Sequence, residues 1–233
     1  MERSDSTPGT SSPGTAPGTR LDPATVDLLG VLAYGELTAF ERLASDARLA
    51  PTIADKHALA SMAAAEFEHY RCLHSHLESV GVDPEKAMQP FVAPLDAFHD
   101  STPPNDWLES LIKAYVGDGL ATDFYREVAA FVSDSATRGL VLESLADTGQ
   151  AEFAVAKVRA AIQADPTRAG RLALWARRLV GEALIQAQRV AVERDALTEL
   201  LVGGSGDLAG VGRLLERLTD RHTARMAALG LQS

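Results

Sequence analysis

The sequence predicts an all-α fold: a four-helix bundle with a long connection in its middle and two further helices at the C-terminus. Three observations carry that reading. Apolar residues recur at helical spacing from Asp22 onward. Alanine and leucine are prominent while aromatic residues make up only 6%, a mixture that suits close-packed helices better than strands. Prolines and glycines fall where helices would start and stop.

Residues 1–20 repeat Pro-Gly-Thr at 8–10, 13–15 and 17–19. They hold too few apolar side chains to offset the entropy of ordering, so 1–21 reads as a disordered tail. Asp22-Pro23 then supplies a capping oxygen and a proline for a first helical position. The first helix runs to about Arg48 and carries Leu29, Leu32, Ala33, Leu37, Phe40 and Leu43 on one stripe. A second, opened by Pro51 and ending near Gly81, carries Leu59, Met62, Ala63, Tyr70, Leu73 and Leu77. The proline-bearing stretch 82–104 reads as a long crossover connection. The third helix covers about 106–132. A fourth, capped by Asp134 or Ser135, reaches about Ala164. Asp165-Pro166 restarts the chain into a long fifth helix, which Gly203-Gly204-Ser205-Gly206 breaks before a sixth at about 207–229. One domain, 22–233, thus holds a four-helix core at about 22–164 and appended helices at about 167–229.

The formal charge of −10 is uneven. Residues 1–156 carry 10 Lys and Arg against 24 Asp and Glu, whereas residues 157–233 carry 12 against 8. An arginine-bearing C-terminal face could meet the phosphates of tRNA or another RNA; a solvated helix surface is the plainer reading. No apolar run approaches the roughly 20 residues that span a bilayer, so no membrane partner is expected. The first residues lack the apolar core of a secretory leader. One cysteine, Cys72, cannot form an internal disulfide, which points to a reducing compartment and a cytoplasmic location.

The informative residues are polar groups on apolar stripes. Glu36 lies four after Leu32 and four before Phe40, on their face of the helix. In Glu66-Phe67-Glu68-His69, Glu66 follows Met62 by four and His69 precedes Leu73 by four, so both join the stripe and Glu68 does not. An inward charge costs several kcal/mol unless it is paired, which an exposed glutamate never meets. Glu36 could instead be satisfied by an Arg or Tyr and His69 be a core histidine, but their conjunction favours a metal. In the third helix Asp118 lies three after Tyr115 between Gly117 and Gly119, with Asp123 as runner-up. Each glycine costs roughly 1 kcal/mol against alanine in a helix and suggests close approach or open room. In the fourth helix Asp147 and Gln150 continue the pattern, seven and ten after Leu140. His74 and His76 diverge on their helix and read as surface groups. Glu182 reads as a partner of Arg178.

Glu36, then Glu66-x-x-His69, then an acid on the third helix and an acid-x-x-polar pair on the fourth resemble the ferritin-like di-iron carboxylate proteins. The segments AYGELTAFERLA, MAAAEFEHY and YVGDGLATDFYRE are similar, more narrowly, to actinobacterial ferritin-like proteins grouped with the tRNA hydroxylase that acts on 2-methylthio-N6-isopentenyl-adenosine. The resemblance covers about residues 22–200. It implies a ferritin-like bundle with iron ligands Glu36, Glu66, His69, Asp118 and Asp147, and Gln150 where the family has a second histidine. It implies two irons per chain where the site is intact, one or none where it is not, O₂ as co-substrate and an electron donor such as a ferredoxin. Tyr70, Tyr115 and Tyr125 are candidates to line the pocket. A hydroxylase is the leading expectation. A metal-depleted scaffold binding RNA or protein and an iron-dependent peroxidase or oxidase are the alternatives, and a homodimer is left open.

Overall fold

The computed structural model describes residues 21–146, 149–206 and 208–232; all of the expected tail but Leu21, and Asp147, lie outside them. Among the described residues the chain forms nine α-helices, one 3₁₀ turn and no strand. The helices are α1 Pro23–Asp46, α2 Ile53–Ser79, α3 Pro84–Ser101, α4 Trp107–Ala129, α5 Ser135–Ser144, α6 Gln150–Ala164, α7 Arg168–Glu193, α8 Asp195–Ser205 and α9 Leu208–Leu229.

Five starts are fixed by side chains that satisfy an otherwise orphaned backbone N–H. Asp22, Thr52, Asp83, Asp106 and Asp134 each accept a hydrogen bond from the amide three residues on. Proline at the first position reinforces α1 and α3. Helix α1 lies along α2, α4 packs on α6, and α5 sits against α2 and α4. Helices α7 and α9 cover α4, while α8 lies on α1 and α9.

The core divides into two apolar clusters. One gathers Leu43, Leu59, Met62, Ile112, Val116, Ala154 and Trp175; the other gathers Leu32, Ala33, Leu73, Leu77, Val128, Val141 and Leu145. Along every core helix, the polar residues singled out in the sequence fall between the two. Glu36 lies between Ala33 and Leu43, Glu66 and His69 between Ala63 and Leu73, Asp118 between Val116 and Val128. Gln150 lies between Leu145 and Ala154. The bundle therefore carries one polar level with an apolar plug on either side.

Three elements differ from the sequence expectation. The crossover 82–104 is helical over Pro84–Ser101 in spite of Pro90 and Pro94. Lys86, whose carbonyl loses its intrahelical partner to Pro90, is exposed to water, and the helix gains by burying Met88 and Phe91. The fourth helix is interrupted: α5 stops at Ser144 and α6 starts after Gly149, whose φ of 86° belongs to the left-handed region that glycine adopts without strain. The fifth helix ends at Glu193, not at the glycines, because Arg194 leaves helical geometry and forms an ion pair with buried Asp27 of α1. Gly203 and Gly204 remain within α8.

Helix α3 crosses α1 at Gly30, where an added Cβ would run into the backbone carbonyl of Ala87. Backbone cannot yield as a flexible side chain can. Gly30→Ala should therefore cost about 1–3 kcal/mol by overpacking. Gly35→Ala, in the same helix with open space around it, should gain up to about 1 kcal/mol from helix propensity. Urea unfolding of the two variants tests the crossing through the opposite signs.

Candidate metal centre

Antiparallel packing of α1 on α2 brings Glu36 opposite Glu66, and one helical turn places His69 beside Glu66. One ligand atom from each of Glu36, Glu66 and His69 lies within 4.8 Å of the others. The His69 Nδ1 stands 3.4 Å from Glu66 Oε2 and 3.8 Å from Glu36 Oε2. Both distances exceed a hydrogen bond's, and Nδ1 is buried without a hydrogen-bond partner. The Glu36 and Glu66 side chains are each 11% exposed. Glu68, two residues on, is exposed and pairs with Arg71.

Burial pushes the Glu36 carboxyl up to about 8, with Glu66 adding to the rise and His69 opposing it. The Glu36 and Glu66 carboxylates hold the His69 imidazole up at about 10 against its own desolvation. A raised Glu36 carboxyl and a raised imidazole thus stand beside Glu66 in a space one cation would fill. The donor set of two carboxylate oxygens and one imidazole nitrogen suits a divalent first-row metal such as iron. A metal that displaced the Nδ1 proton would give this buried nitrogen the partner it lacks. On this observation the residues fit iron.

Asp118 occupies the facing wall. It lies deep among protein atoms, yet its side chain borders a cavity of about 600 Å³ and meets water there. Burial and the charge of Glu66 push its carboxyl up to about 8, against a hydrogen bond from Gln150 and the charge of Lys113. The Gln150 Nε2 donates to Asp118 Oδ2 at 2.7 Å. Asp118 and Gln150 thus engage each other and stand apart from the compact Glu36–Glu66–His69 group. The runner-up, Asp123, forms an ion pair with Arg225 of α9.

The tyrosines separate. Tyr115 and Tyr125 line the cavity. Burial, then Glu36, raises the Tyr125 hydroxyl well above its ordinary range. Tyr70 does not line it; its partly buried ring packs against the second apolar cluster, beside Phe67 and His74. Neither does Arg178 serve Glu182. It donates to the Ser101 carbonyl at 2.6 Å and lies over the Trp175 ring. The glycines beside Asp118 also differ: a Cβ at Gly119 would strike the Arg225 guanidinium, whereas one at Gly117 would make ordinary contact with Phe98. The reach of Arg225 from the C-terminal helices was the signal that helix-by-helix periodicity could not carry.

A family model described as a ferritin-like domain of actinomycetes matches residues 19–204. The chain belongs to this family. The match spans α1 through nearly all of α8, so the ferritin-like domain extends beyond the four-helix core into the first appended helices. No curated protein matches the chain. No described helix is long and apolar enough to cross a membrane.

The acids of this ferritin-like domain set a pH dependence. Glu36 and Asp118 have ordinary values of 4.5 and 3.8, so in the unfolded chain they lose their protons near there, but the fold keeps them to about 8. Between those limits the folded state binds more protons. The stability they contribute is full below about pH 4 and is lost as pH rises through about 8. Thermal melts of metal-free protein from about pH 5 to 8 should show this decline, less steep in Glu36→Gln and in Asp118→Asn. Slopes equal to the parent's in both variants would mean that neither carboxyl is held neutral.

Proposed function

We propose that this ferritin-like protein is a non-haem iron oxygenase, with hydroxylation as its reaction. The observation that carries the reading is the buried, unpartnered His69 Nδ1 beside the Glu36 and Glu66 carboxylates, which themselves line a largely apolar cavity. Glu36, Glu66 and His69 would hold a first iron. Glu66, Asp118 and Gln150 would hold a second, with Asp147. Iron bound there supplies reductive activation of O₂ for insertion of one oxygen atom into a substrate C–H bond. The balance takes O₂, two electrons and two protons to the alcohol and water, with the electrons from a donor protein such as a ferredoxin. The resemblance to the tRNA hydroxylase group suggests a modified tRNA base as substrate.

The chain's own residues prepare that chemistry. Asp118 keeps its proton near neutrality, and because Gln150 donates to Oδ2 the proton belongs on Oδ1. Asp118 would release that proton on holding a metal. Leu43, Phe98, Leu120 and Phe124 give the cavity an apolar lining that limits water beside the ligands. Tyr115 and Tyr125 complete the wall.

One observation favours a second reading. The Gln150–Asp118 hydrogen bond engages the second half of the site within the protein itself, as a metal-depleted scaffold would. Iron per chain, measured on protein purified with iron available, separates the two. The oxygenase reading expects between one and two irons in the parent, a rise toward two in Gln150→His, and none in Glu66→Ala. A metal-free parent and no gain in Gln150→His, with that variant destabilised by about 1–3 kcal/mol through its unpartnered imidazole, would establish the scaffold instead.

A further inference from the structure

The cavity that the acids border also reaches Arg42 and Lys113. It is bounded by apolar side chains of α1, α3, α4 and α9, among them Leu32, Leu43, Phe98, Leu120, Phe124 and Leu218. At about 600 Å³ it is in the size range of small-molecule sites. Beyond Phe98 it meets a smaller cavity of about 320 Å³, and the two share Arg42, Asp46, His99 and Lys113 as walls. This vestibule also carries Arg48, Asp100 and Pro104.

Lys113 is the anomaly there. It is 7% exposed, yet its ammonium makes one hydrogen bond, to the Thr102 carbonyl at 2.8 Å, and lies over the Phe98 ring. An ammonium has three donors, so two are left. No carboxylate oxygen stands within ion-pair distance of Lys113 or of Arg42 among the described residues, although Asp46 and Asp100 are nearby. Burial, then the charge of Arg42, lowers the Lys113 ammonium to about 8, so it is still largely charged at neutral pH. Burial likewise keeps His99 neutral, with Lys113 and Arg42 adding to the effect. Among the described residues, two cations without ion pairs thus stand where the apolar chamber meets the vestibule, with Asp46 and Asp100 as neighbours.

We propose that the cavity and its vestibule bind a free single-chain amphiphile, its apolar body in the larger chamber and its anionic head against Lys113 and Arg42. The head satisfies the free donors of a buried cation, and the body replaces water along an apolar wall. The proposal goes beyond the iron reading, because binding in this orientation needs no metal.

The test uses the full chain stripped of metal, titrated calorimetrically with decanoate below its micelle concentration, and with decanol and decyltrimethylammonium as tail-matched controls. Decanoate should saturate at one per chain and bind about tenfold or more tighter than decanol, the gain expected of charge-assisted hydrogen bonds. Lys113→Met should erase that advantage and leave decanol unchanged. If Lys113→Met does not fold, Arg42→Gln, at an exposed position, should reduce decanoate binding several-fold with the same indifference to decanol. Equal affinity for the three heads, preference for the ammonium, or no saturation by decanoate overturns the proposal. Iron per chain, measured separately, decides the oxygenase reading whichever way this titration falls.

Discussion

Helix α4 is held from its outer side, and much of the molecule follows from that. At its N-terminal end Arg171 of α7 pairs with Asp106 and buried Glu109, and the Trp175 indole donates to the Glu109 carbonyl at 2.9 Å. At its other end Arg217, Arg221 and Arg225 of α9 engage Glu127 and Asp123. These are arginines of the basic C-terminal third, meeting acids of the N-terminal part. The charge asymmetry of the sequence is in large measure a set of intramolecular pairings that dock α7 and α9 onto the bundle. A helix anchored along its outer face is not free to collapse inward on α1, and the space left between them is the cavity that Asp118 borders. Breaking a buried pair such as Asp123–Arg225 would strand a charge, so the arrangement resists drift.

The polar level costs stability, and the fold limits that cost by protonation. Glu36 and Asp118 keep their protons near neutrality, and His69 carries one of its own. Acids on facing walls are tolerated because little net charge is left to repel. The apolar clusters above and below supply the burial that offsets what remains. Such a level is poised for exchange: a divalent cation could take the place of the protons while the side chains stay where packing put them.

The inward stripe placed Glu36, Glu66 and His69 because each is four residues from a core leucine, methionine or phenylalanine, and periodicity reports a helix's own face faithfully. It could not report what arrives from elsewhere. Asp123 has as good a claim to a site as Asp118 until Arg225 comes in from α9. Tyr70 shares a stripe with Leu73 and Leu77 and packs against their cluster, beside Phe67 and His74, which leaves it off the cavity wall. The helix over Pro84–Ser101 was hidden by its prolines, whose local cost is outweighed by tertiary burial of Met88 and Phe91. The break at Arg194 was hidden for the converse reason. Its cause is a salt bridge to Asp27, 167 residues earlier, whereas the glycines at 203 and 204 looked locally more disruptive.

The place of Gln150 shows why the Asp118–Gln150 pair differs from the Glu36–Glu66–His69 group. Glu36, Glu66 and His69 are mid-helix residues, held in register by intact turns on both sides. Gln150 is the first residue of α6, directly after a left-handed glycine. Its side chain is aimed by a backbone break as much as by a helical face. A helix N-terminus favours a carboxylate's charge, yet burial beside Glu66 prevails and Asp118 stays protonated. A neutral amide donating to such an acid is a satisfied pair, whereas two ionised acids and an amide oxygen are not. The same backbone break that lets Gln150 reach Asp118 therefore stabilises that hydrogen-bonded pair. A metal binding there would have to be worth more to Asp118 and Gln150 than they are to each other, a demand that the Glu36–Glu66–His69 group, with its unpartnered nitrogen, does not make.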